Sequence, residues 1–75
     1  MYMPAAELIE RYNSGERNFP GLVPIDSYSE LAGANLSNII LSGADLSRVS
    51  LKGTNLRGAQ LVGWPVVLHS QEYLL

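Results

Sequence analysis

The chain has 75 residues, of which 47% are apolar and 16% charged, with a formal net charge of −2 and no cysteine. These figures set a ceiling of one small domain and exclude a disordered polar tail, a disulfide framework and a thiolate metal site. The charge is too mild to steer nucleic acid or an anionic membrane, and no apolar run approaches the length of a span.

Residues 4–14 come first in chain order and read as an amphipathic helix. Pro4 suits the first turn, and Leu8, Ile9 and Tyr12 share one face at helical spacing. Gly15 supplies a C-terminal stop. The lead-in from Met1 to Glu7 lacks the basic-then-apolar order of a secretory signal, so the expected location is cytoplasmic. Phe19 fits the inward place of an early repeat, Arg17-Asn18-Phe19-Pro20-Gly21. Its distance to Leu31 is twelve residues, however, where two units of five would give ten. With Pro20 and Pro24 in between, residues 20–28 read as an irregular stretch that breaks register before Ser29.

From Ser29 onward the chain is periodic. Leucine stands at 31, 36, 41, 46, 51, 56 and 61, a strict spacing of five. Two residues before each leucine is a small or β-branched residue: Ser29, Ala34, Ile39, Ala44, Val49, Thr54 and Ala59. The residue just before each leucine is mostly polar, and five of the seven positions two after are glycine. A period of five would spiral around a helix, and the glycine, asparagine and serine positions oppose one. Within each unit the leucine and the residue two before it share a face, as in a strand. Short extended pieces wound around a common axis, with glycine at the turns, bury every leucine.

Ala34-Asn35-Leu36-Ser37-Asn38, Ala44-Asp45-Leu46-Ser47-Arg48 and Thr54-Asn55-Leu56-Arg57-Gly58 resemble the A-(D/N)-L-x-x pattern of the pentapeptide-repeat family. The resemblance implies an all-β solenoid: a short right-handed quadrilateral β-helix of about two coils, four repeats to a coil, capped by the N-terminal α-helix. Residues twenty apart then stack, Leu31 on Leu51, Leu36 on Leu56 and Leu41 on Leu61. Asn35 and Asn55 form an amide ladder on one side, and Leu46 stacks on Val66 in a degenerate eighth repeat, 64–68. The expected organisation is residues 1–28 as helix and lead-in, 29–68 as β-helix, and 69–75 as a tail or cap.

No constellation for chemistry emerges. His69 is the one histidine, Glu30 and Asp45 are fifteen residues apart, and no base accompanies the serines. Neither enzymatic activity, a metal nor a cofactor is expected. The expected role is a protein-interaction or scaffolding module, whose partner is another protein or a second copy joined through the C-terminal end. Ile40, Val62, Val67, Leu68, Tyr73, Leu74 and Leu75 are the candidate interface, outward apolar residues and tail positions that collect toward that end. The family resemblance also raises mimicry of duplex DNA to inhibit a type II topoisomerase. That role needs a long acidic rod, whereas residues 29–63 carry three basic residues against two acidic ones.

Overall fold

The computed structural model describes residues 1–63. Its named elements are a strand β1 (Tyr2–Pro4), a helix α1 (Ala5–Asn13) and a strand β2 (Val23–Ile25). β1 and β2 pair in parallel, Tyr2 with Val23, Met3 with Pro24 and Pro4 with Ile25. Neither strand is legible from alternation, because each is three residues long and each carries a proline. The helix matches the sequence expectation closely, with Leu8 and Tyr12 buried and Ile9 packed against the core. Pro4 sits just outside it as the N-cap, in extended conformation. Gly15, at φ +106°, follows Ser14 at the other end. The amide of Glu16 reaches Arg11 O and that of Gly15 reaches Tyr12 O, so two of the last carbonyls of the helix are satisfied by a glycine-closed turn.

Residues 29–63 contain no strand long enough to be named. They contain a turn every five residues, and the reason lies in the bonding of each leucine. The carbonyls of Leu31, Leu36, Leu41, Leu46, Leu51 and Leu56 each accept the amide three residues on. At five of these six turns the third residue has positive φ: Gly33, Asn38, Gly43, Gly53 and Gly58. That is the backbone of a type II turn, which demands glycine or asparagine at that place. Arg48 is the exception: its backbone does not enter the left-handed region, and the Leu46 turn is the longest of the set at 3.3 Å. Only two or three residues remain extended between turns, so pairing appears as single parallel bridges, Asn18 with Ile40, Asn35 with Asn55, and Ile40 with Gln60.

For the two later bridges the spacing is the expected twenty residues; Asn18 and Ile40 are 22 apart. Asn55 donates to Ala34 O while Leu36 donates to Asn55 O, and Gln60 and Leu41 repeat the pattern around Ile39 and Gln60. Leu31, Ile39, Leu36, Leu41, Ala44, Leu46, Leu51 and Leu56 are buried in one core with Leu8, Tyr12, Phe19 and Leu22. Thr54, the one buried hydroxyl of the inner column, donates to Leu31 O at 2.7 Å. The Asn55 side-chain amide donates to Asn35 Oδ1 at 3.2 Å, forming the amide ladder that the sequence suggests.

The expected change of register over 20–28 is present, but it does not interrupt the ladder. The ladder begins before Ser29: Ile40 donates to Arg17 O, Phe19 to Ile40 O, Gly21 to Ser42 O and Asp45 to Leu22 O. Phe19 is fully buried, as an inward residue should be. The two surplus residues are absorbed gradually. The donor lies 23 positions after its acceptor at Ile40 and Asp45, 22 at Ser50, and 21 at Asn55 and Gln60. The slip therefore falls between Leu22 and Ala34, where Asp26 takes a left-handed φ of +51°. A bulge of this kind lets a ladder resume after extra residues, at the cost of local strain.

The bulge also closes the helix end. Ala5, the first residue of α1, gives its amide to Ser27 Oγ at 2.8 Å, and Ser27 in turn donates to Ile25 O. No local side chain caps this helix, because Pro4 has none to offer. A residue 22 positions away does the work of an N-cap. At the other end, Tyr12 donates to Ser37 O at 2.6 Å, and the Arg17 guanidinium lies 3.7 Å from the centre of the Tyr12 ring. Arg17 also donates to Tyr12 O, so helix and first rung are locked together.

Candidate interaction surfaces

A winding of five-residue units with two inward positions presents three outward ones, the residue before the buried leucine and the two after it. The position before leucine is used structurally. Asn35, Asp45 and Asn55 each accept the amide two residues on, at 3.2, 3.1 and 3.0 Å, and Ser50 does the same at 3.3 Å. These are side-chain-closed turns that compete with solvent for the same amides. They account for the Asn, Asp and Ser column without any ligand.

Asp45 goes further, accepting the Ser47 hydroxyl at 2.6 Å as well. The two Ser47 bonds hold its carboxyl below the usual carboxylate range, with a smaller contribution from the Arg48 guanidinium. Asp45 is therefore a firmly ionised surface group. Among the described residues no group of three or more His, Cys, Asp or Glu is placed to hold a metal ion, and no helix is long and apolar enough to cross a membrane.

Of the sequence-derived interface, Ile40 and Val62 lie within the described residues. Ile40 is half-buried and pairs with Asn18 above and Gln60 below. Val62 is 75% exposed, and its carbonyl accepts the Gly43 amide. The two residues flank the buried Leu41 and the partly buried Leu61, so the ladder brings them onto neighbouring rungs of one side. Val67, Leu68, Tyr73, Leu74 and Leu75 lie outside the described residues, as do the expected eighth repeat and His69.

A second surface has no counterpart in the sequence reading. A cavity of about 360 Å³ opens beside the bulge, lined by Tyr2, Val23–Ser27, Asp45, Arg48 and Val49. Its walls are the outward sides of β1 and β2 and the Leu46 turn. Tyr2 is 74% exposed and Ile25 38%, with Tyr28 at 71% just after the bulge. The available signal was the twelve-residue gap from Phe19 to Leu31, which marks surplus chain that must go somewhere.

Residues 29–63 match the family model described as Pentapeptide repeats (8 copies). That segment is built of pentapeptide repeats. No curated protein and no solved structure matches it. Pentapeptide repeats build β-solenoids and serve as structural or interaction modules, and here the repeat segment follows an N-terminal helix.

Proposed function

We propose that this chain is a non-enzymatic interaction scaffold, wound as a short right-handed four-sided β-helix of about two coils. The twenty-residue rung spacing over four five-residue turns supports four sides. The general preference of parallel crossovers supports the hand. In such a winding the inner columns carry the stability and the outward positions are free to vary, so binding residues are replaceable without loss of fold.

The observation that carries the proposal is the exposure of Val62 beside Ile40 on a side whose inner residues are already packed. An exposed valine alone is ordinary, but this one belongs to an apolar series that continues in sequence through Val67 and Leu68 toward Tyr73, Leu74 and Leu75. A second copy of the chain or another protein is the expected partner, in the cytoplasm. The topoisomerase reading finds no support in the charge, since residues 29–63 are weakly basic.

The test is light scattering across a concentration series. Wild type should show mass above the monomer, and Val62→Asp, Leu68→Asp and removal of residues 70–75 should each return it to the monomer. If all three variants match wild type both here and in capture of a purified partner, the C-terminal interface is wrong.

A further inference from the structure

The cavity beside the bulge is not needed by the solenoid. The repeat closes each turn with five residues, and nothing in the rung spacing requires the two extra residues between Leu22 and Ala34. Their cost is visible in the left-handed Asp26, a backbone region that aspartate tolerates better than most residues but still pays for. Ser27 repays part of it by capping α1. Capping uses Ser27 alone and leaves Asp26 and Tyr28 unexplained.

The wall chemistry is of two kinds. Tyr2, Val23, Pro24, Ile25 and Val49 make an apolar floor and side. Two carboxylates, Asp26 and Asp45, stand at the rim with one guanidinium, Arg48. Neither carboxylate has an ion-pair partner within 4 Å among the described residues. The Ser47 bonds favour the charged form of Asp45. The rim is thus net negative over an apolar trough. Of the five large exposed apolar residues among those described, Met1, Tyr2 and Ile25 lie in or directly beside β1 and β2, and Tyr28 follows three residues after β2.

We propose that this groove docks a basic peptide segment of a partner protein, taking an apolar side chain on Tyr2, Ile25 and Val49 and a neighbouring lysine or arginine at Asp26 and Asp45. The choice of occupant follows from charge complementarity: an acidic segment would meet two carboxylates, and a neutral apolar one would leave them unused. The inference rests on the interaction-scaffold reading and adds a second site, whose lining includes neither Ile40 nor Val62.

The experiment is an amide NMR titration of the full chain with acetyl-Leu-Lys-Leu-Lys-amide, and with acetyl-Leu-Glu-Leu-Glu-amide as the charge-reversed probe. The lysine peptide should shift Tyr2, residues 23–28 and residues 45–49, and the glutamate peptide should not. Asp26→Asn keeps a residue that accepts positive φ, and should weaken binding about 2–5-fold, as expected for an exposed ion pair. Asp45→Asn should do the same. Arg48→Gln should strengthen it, and added salt should weaken it. Equal response to both peptides, or no change in Asp26→Asn and Asp45→Asn, overturns the proposal. Val62→Asp should bind the lysine peptide like wild type. If the peptide fails while Val62→Asp still disrupts association, the groove is wrong and the scaffold reading stands.

Discussion

Gly58 shows how tightly a single position can be constrained by winding. Its φ is +75°, and a Cβ there would collide with Asn38 Oδ1 on the rung above. Gly58→Ala should therefore lose about 1–2 kcal/mol from the backbone. The colliding atom is the far end of the Asn38 side chain, which can rotate aside, so an Asn38→Gly background should change that loss little. Urea denaturation of the two variants checks this; no loss in either background would mean that position 58 does not need its positive φ. Asp45 makes a second residue-scale case. Its depressed pKa means that the native carboxylate is favoured, so its contribution is present above the ordinary value of 3.8 and fades as pH falls through the lower native value. Ser47→Ala should raise that native value toward the ordinary one, as read by NMR titration of the Asp45 carboxyl. No change would show that Ser47 is not its main partner.

Among the elements, α1 depends on a cap that comes from across the structure. Ser27→Ala should cost about 1 kcal/mol and fray the first turn, with faster amide exchange at Ala5 and Ala6. Protection unchanged at those amides would argue against the cap. Tyr12→Phe removes the bond to Ser37 O while keeping the ring under Arg17, and should cost about 0.5–1.5 kcal/mol in thermal unfolding. The helix itself was readable from Leu8, Ile9, Tyr12 and Gly15, because periodicity and a glycine stop are local signals. Its cap was not, since Ser27 is remote in sequence and ordinary in type. β1 was missed for a similar reason: three residues with a proline carry no alternation, and only pairing with Val23–Ile25 makes them a strand.

At the scale of the whole molecule, the leucine and glycine columns report one repeated turn every five residues, and the resemblance to pentapeptide repeats supplied the four turns per lap that put rungs twenty apart. Between Phe19 and Leu31 the count of twelve marks a real shift of register, which a parallel ladder absorbs by sliding one residue at a time where the backbone finds a place to bulge. Asp26 provides that place, and the surplus residues create the groove. The candidate surface was thus legible only in its regular part, Ile40 and Val62, where position follows from period. The groove arises from a departure from period, and its shape depends on how the departure is accommodated.

The central claim is the twenty-residue stacking of successive laps, and paired cysteines test it most directly. The chain has no native cysteine to interfere. Asn35 and Asn55 are bridge partners, and parallel neighbours lie about 4.8 Å apart, inside the range a disulfide spans. Under mild oxidation, Asn35→Cys/Asn55→Cys should close an intramolecular disulfide in nearly all molecules, while Asn35→Cys/Asp45→Cys, half a lap out of step, should stay reduced. Equal cross-linking of the two pairs, or none in the first, would contradict the winding.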